Sequence, residues 1–223
     1  MIYIKRIYKR VSHSFIYSTW IRYDWFWNYT HVQSLLKKAG GLDIKYICPL
    51  HGPVWRNNLG YFIDKYQKWS TYEPEEKGVL IVYASMYGNT ETAANYLATQ
   101  LVEKGMTNVA VYDVSKTHVS YLISETFKYS HLVLASVTYN LNIFPPMHDY
   151  LVDMKALNLQ KRTVALLENG SWAPQSGKLM RELLGQMKDM NILDPEISIN
   201  SSMKEEDGDS LAGLADSIIE SMK

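Results

Sequence analysis

From Val79 onward, apolar runs too short for helices alternate with longer segments whose apolar residues recur at helical spacing. The runs Val79–Ala84, Val109–Val114, His131–Ser136 and Thr163–Glu168 read as strands, and Thr90–Lys104, Val119–Phe127, Met147–Lys155 and Ser176–Met187 read as helices. A fifth strand at Ile197–Ile199 and a last helix at Asp209–Met222 complete the series. Apolar strands joined by amphipathic crossovers predict a doubly wound parallel five-stranded sheet, because each crossover returns the chain to the same end and helices then cover both faces. Upstream the rhythm is looser. Thr30–Lys38 reads as a short helix, "GGLDIKYICPLHGP" as turn, strand and loop, and Leu59–Trp69 as a helix with Tyr61, Phe62, Tyr66 and Trp69 at helical spacing. The polar, acidic stretch Ser70–Gly78, with one proline, has the makeup of a linker. The chain thus divides into an unassigned segment 1–33, a second segment 34–69, a linker 70–78 and an α/β domain 79–223.

Composition changes this picture little. With 223 residues and 47% hydrophobic side chains the chain has ample material for a core. Lysine plus arginine (23) balances aspartate plus glutamate (23), so no global field draws nucleic acid or an anionic membrane. Cys48 is the sole cysteine, which excludes an intramolecular disulfide and fits a reducing, cytoplasmic setting. The first thirty residues are basic, aromatic and free of acid before Asp24, a bias shared with targeting segments. Their longest uncharged run, Val11 to Ile21, is too polar for a signal core and too short to span a bilayer, while composition leaves a transit peptide open.

In an open parallel sheet, ligands sit beyond the carboxyl ends of the strands, where strand order reverses. Three loops leave those ends. In the first, "SMYGNT", Ser85, Asn89 and Thr90 offer side-chain donors, Gly88 allows close backbone approach, and Met86 and Tyr87 flank it. The helix that follows aims its unsatisfied N–H groups and positive dipole end at the loop, which suits a phosphate. The loop lacks the Walker lysine and the spaced glycines of a dinucleotide fingerprint, so neutral donors fit a monophosphate better than a polyphosphate. The alternative is that Ser and Asn only cap the helix. The second loop, Val137 to Pro146, brings together Val137, Thr138, Tyr139 and Asn140; the third, Asn169 to Pro174, sets Gly170 and Ser171 beside Trp172. Aromatic faces with amide and backbone groups at hand suit an apolar planar ligand, although Tyr139 and Trp172 taken singly read more readily as core or surface aromatics, and it is the three loops together that favour the ligand.

These loops, in this order, resemble those of flavodoxins: "SMYGNT" the loop around the phosphate of flavin mononucleotide (FMN), and "SVTYNLNIFPP" and "ENGSWAP" the two that flank the isoalloxazine ring. More narrowly, "CPLHGPVWR", a helix ending in "YQKWS" and then the first strand are similar to the junction in flavodiiron proteins. There a metallo-β-lactamase-like domain with a diiron centre precedes a flavodoxin domain, and the pair reduces dioxygen or nitric oxide. The resemblance covers roughly Gly40 to Lys223, and departs from the family at Val137, where proline is common. It implies that Ser85, Met86, Tyr87, Gly88, Asn89, Thr90, Val137, Thr138, Tyr139, Asn140, Asn169, Gly170, Ser171 and Trp172 hold FMN. The family's H-x-E-x-D-H cluster of iron ligands has no counterpart here, and of the six histidines only His51 matches a family ligand. One imidazole cannot hold two irons, so a diiron centre is not expected and His51 reads as a vestige. The pattern implies the C-terminal part of such a protein with a remnant of the metallo-β-lactamase-like domain, as a truncated gene or an altered start would produce.

Two functions follow. The first is an FMN-binding electron-transfer module fed by a redox donor, a rubredoxin or a pyridine-nucleotide reductase as in the family. Carboxylates such as Glu168 near the ring would lower its potential. The second is a non-catalytic remnant that acts only by association with a partner chain or as a homo-oligomer. Neither reading involves nucleic acid or a membrane.

Overall fold

The computed structural model of the chain describes residues 29–48 and 53–223. They form two compact units, one ending at Glu73 and one running from Pro74 to Lys223. The predicted linker stretch is partly structured, since one helix runs through Ser70 and the first strand starts at Glu76.

In the first unit, helix α1 (Tyr29–Ala39) packs against helix α2 (Leu59–Ser70). The Gln33 and Gln67 amides bond to each other reciprocally, at 3.4 and 3.2 Å, and Gln33 also donates to Ser70 Oγ. Where a strand was expected between the helices there is a single antiparallel bridge, Ile47 to Trp55. A lone bridge is what remains when a strand-like run finds no further strand to pair with among the described residues. His51 lies outside the described residues.

The second unit is built on strands β1 (Glu76–Ala84), β2 (Val109–Asp113), β3 (Tyr129–Tyr139), β4 (Asn142–Ile143), β5 (Arg162–Gly170), β6 (Met190–Ile192) and β7 (Ile197–Asn200). Its helices are α3 (Asn89–Glu103), α4 (Val119–Lys128), α5 (Pro145–Ala156), α6 (Ser176–Leu184) and α7 (Glu205–Ser221). The parallel order is β2-β1-β3-β5, with β6 and β7 both pairing β5 on its far edge. β6 lies along Arg162–Val164 and β7, the expected fifth strand, along Leu167–Gly170, so the edge beyond β5 is filled by two consecutive pieces. Two short strands were not anticipated: β4, which pairs antiparallel with the end of β3, and β6.

The reason for this architecture lies in β1, β3 and β5, whose inner residues are buried on both faces. Val79, Ile81, Val133, Ala135, Ala165 and Leu167 pack with Ala93, Ala94 and Leu97 of α3 and with Leu211, Leu214 and Ile218 of α7. By strand alternation Leu80, Val82, Leu132, Leu134, Val164 and Leu166 face the other side, where α4, α5 and α6 pack. On that side Arg162 is fully buried, and its guanidinium donates to the carbonyls of Thr126, Phe127, Gln160 and Lys161. Burial lowers its pKa to about 10, which still leaves it charged at neutral pH and well placed against the negative C-terminal end of α4.

At the opposite end of the sheet from the three loops, His131 is buried with Nδ1 2.8 Å from Ser130 Oγ and Nε2 3.1 Å from Ser221 Oγ, which ties β3 to α7. Burial first, and then the nearby Lys77 charge, hold its pKa below the ordinary 6.5. The unfolded chain therefore binds the proton more tightly than the folded one. The contribution of neutral His131 is expected to be complete above about pH 6.5 and to fade as the pH falls through that value, a loss that His131→Gln removes from the stability–pH curve measured by thermal melting.

Candidate functional site

Three loops leave the carboxyl ends of β1, β3 and β5 side by side, since Ala84 pairs with Ser136 and Val137 with Asn169. In the first, Ser85 Oγ accepts the Gly88 N–H at 3.1 Å and closes the loop. Gly88 takes a left-handed conformation (φ 89°) immediately before α3, a geometry that glycine adopts at no steric cost. Met86 and Tyr87 point outward, Tyr87 with 88% of its surface exposed. Thr90, the second residue of α3, is 1% exposed, and its Oγ1 has no hydrogen-bond partner. A buried hydroxyl left without a partner costs about 1–3 kcal/mol.

The other helix N-termini of the sheet domain contrast with this one. α5 opens on Pro145 and Pro146, which carry no N–H. At α6 the N–H groups of Gln175 and Ser176 are both accepted by Thr138 Oγ1 and that of Gly177 by Glu168 Oε2. At α4 the His118 ring accepts from the Ser120 N–H, and at α7 Asp207 accepts from the Lys204 N–H in a capping box. α3 is where a helix dipole, a glycine-opened backbone and a buried donor converge, with no lysine or arginine from Ser85 to Thr90. That donor set fits a monophosphate.

The second loop is a hairpin rather than the open loop expected from the sequence. β3 continues to Tyr139, and Asn140 and Leu141 turn the chain with φ of 50° and 57° into β4. Positive φ at both turn residues is the primed geometry that matches strand twist. Leu141 pays for it as a branched residue in a left-handed conformation, with 67% of its surface exposed. Tyr139 is partly exposed and meets Phe144 edge to face at 5.8 Å. The Thr138 hydroxyl is engaged with α6, where it accepts two N–H bonds and donates to Ser176 Oγ.

In the third loop Asn169 is buried and its side-chain amide donates to the Ser201 carbonyl. The amide of Asn200, oriented to donate, reaches the Gly170 and Ser171 carbonyls. A side chain at Gly170 would meet Pro174 Cα at 2.9 Å, so the tight return of the loop needs glycine there. Trp172 stands at the tip with 91% of its surface exposed, so it is not packed against the described residues. Below the loop the carboxylates of Glu168 and Glu196 crowd Gly177, where an added Cβ would lie 1.7 Å from Glu196 Oε1 and 3.1 Å from Glu168 Oε2. Burial, and next the Glu168 charge, push the Glu196 pKa up against the pull of Arg181. Sequence reasoning missed Ser136, Gln175, Ser176, Asn200 and Ser201, which shape the loops through contacts distant in sequence.

Among the described residues no three His, Cys, Asp or Glu side chains converge on a common point, and no helix is long and apolar enough to cross a membrane. Residues 81–197 match the flavodoxin family. An uncharacterized protein of Methanocaldococcus jannaschii is 30% identical over 176 residues, 78% of this chain and 44% of that protein. The rubredoxin-oxygen oxidoreductase of Megalodesulfovibrio gigas is 28% identical over 151 residues, 67% of this chain and 37% of that protein. The crystal structure of the flavodiiron protein from Giardia intestinalis superposes with a TM-score of 0.81 at 20% identity, covering 93% of this chain and 52% of that one, and so shares its fold. The chain spans less than half the length of the two curated relatives.

Proposed function

This chain belongs to the flavodoxin family, and on that premise we propose that it binds one FMN on the three loops and serves as an electron-transfer module. The observation that carries the reading is the contrast among helix N-termini, in which α3 alone of the five in the sheet domain combines a buried, unpartnered hydroxyl with a left-handed glycine. The hydroxyls of Ser85 and Thr90 and the first N–H groups of α3 hold the phosphate, with Asn89 beside them. Tyr139 and Trp172 cover the ring, while Val137, Asn140, Asn169, Gly170 and Ser171 supply backbone and amide contacts to its polar edge. Bound FMN supplies the redox step. The chain's residues orient it, exclude water from it and set its potential, which the carboxylates of Glu168 and Glu196 lower by disfavouring added negative charge.

A small electron-transfer protein of the rubredoxin type or a pyridine-nucleotide reductase fits as the donor, and the setting is the cytoplasm. Segment 34–69 reads as part of a metallo-β-lactamase-like domain. A diiron site has no ligand set in this sequence, since the family's carboxylate–histidine cluster is missing and His51 stands alone. Mixing reduced rubredoxin with the FMN-loaded protein is expected to bleach the flavin band, and metal analysis to find no stoichiometric iron. A flavin band that stays oxidised would remove the proposed donor; about two irons per chain would mean ligands recruited from elsewhere in the sequence.

A further inference from the structure

We propose that Thr138 is a positioning residue for the ring side of this site, fastening the hairpin that carries Tyr139 to the loop that carries Trp172 through the N-terminus of α6. The inference rests on the flavin reading and adds to it a residue that acts without touching the cofactor. A threonine hydroxyl has one hydrogen to donate and two lone pairs. In Thr138 all three are used: Oγ1 accepts from the N–H of Gln175 at 3.0 Å and of Ser176 at 3.1 Å, and donates to Ser176 Oγ at 3.2 Å. Ser176 Oγ passes its own hydrogen to the Ser136 carbonyl at 2.8 Å, so the chain of bonds begins and ends on β3. Ser136 and Ser176 are fully buried, which keeps water from competing for these bonds.

The capping is non-local for a reason visible in α6 itself. Its N-cap residue, Gln175, makes no side-chain cap bond, and the acceptor that serves in its place comes from a strand 37 residues earlier. A helix N-terminus left uncapped at a buried site loses stability. Here the cap also fixes the distance between two loops, because Thr138 immediately precedes Tyr139 and Gln175 ends the short loop that begins after Gly170 and bears Trp172. Glu168 completes the fastening from β5 by accepting the Gly177 N–H at 2.9 Å.

The test compares Thr138→Val, which keeps the branched shape and removes the hydroxyl, with Thr138→Ser, which keeps the hydroxyl. In the flavin-free protein, amide hydrogen exchange at Gln175 and Ser176 should speed up at least about tenfold in Thr138→Val and stay near wild type in Thr138→Ser. In titrations, Thr138→Val should weaken FMN and riboflavin by the same factor, about 5- to 20-fold, with Thr138→Ser restoring both. Combined with Tyr139→Ala and Trp172→Ala together, the valine effect should largely vanish, since Thr138 acts through the two aromatics that have been removed. If Thr138→Val folds poorly, Thr138→Ala read against Thr138→Ser gives the same comparison. Unchanged exchange would overturn the proposal by showing that the fastening does not hold in solution. Faster exchange with unchanged flavin affinity would overturn it by showing a cap without influence on the ring. Full additivity with the double aromatic variant would overturn it by assigning Thr138 a direct contact instead. If wild-type protein bound neither flavin, the flavin reading would fail and the positioning role with it, while exchange would still report on the cap.

Discussion

Removing both hydroxyls of the first loop, in Ser85→Ala/Thr90→Val, is expected to weaken FMN about a hundredfold or more while changing riboflavin about twofold at most, because two charge-assisted bonds of roughly 1.5–3 kcal/mol each are lost only by the ligand that has a phosphate. The Thr90 half of this prediction has an unusual sign. Its Oγ1 is buried and unpartnered in the free protein, so Thr90→Val removes a desolvated polar atom and breaks no hydrogen bond. The flavin-free variant should be as stable as wild type or more so, while its FMN affinity falls. Ser85→Ala differs, since Ser85 Oγ closes the loop on Gly88, and its loss should cost stability as well as affinity. Isothermal titration with both flavins, together with melting curves of the free proteins, separates these effects. Equal weakening of the two flavins would mean that the loop only caps its helix.

The ring side carries the second large effect. Trp172 is the most exposed large apolar side chain among the described residues at 91%, and it stands on a loop whose base is held by Gly170, Asn169, Asn200 and Ser201. A tryptophan held in water on a fixed loop is poised to gain by covering a planar ligand. Stacking adds about 0.5–1.5 kcal/mol beyond the burial of its area, so Trp172→Ala should lower flavin affinity about tenfold, for FMN and riboflavin alike. The emission of bound flavin should brighten, because close aromatic contact quenches it. Tyr139→Ala should act in the same direction but less, as Tyr139 is already partly covered and leans on Phe144. Unchanged affinity and emission in Trp172→Ala would remove Trp172 from the site.

What the sequence reveals and what it hides divide along physical lines. The frame was legible because β1, β3 and β5 are apolar on both faces, a pattern that calls for helices on either side. The hairpin after β3 was not, because the usual signal for a primed two-residue turn is a glycine, and here Leu141 occupies a left-handed position. β6 escaped notice as three residues, none of them buried, that find their place only against the first residues of β5. Thr90 could be named as a donor from its place at the start of a helix, but its burial without a partner is a property of the packed structure. The capping of α6 by Thr138 was not legible either, since nothing local marks a threonine that caps a helix 37 residues away.

The most direct measurement is a titration of the flavin-free protein with FMN, followed by absorbance in the flavin bands and by flavin emission. Saturation at one FMN per chain, with quenched emission and markedly weaker binding of riboflavin, is the result expected if the phosphate sits at the start of α3 and the ring between Tyr139 and Trp172. A protein that leaves the spectrum and emission of added FMN unchanged would contradict it.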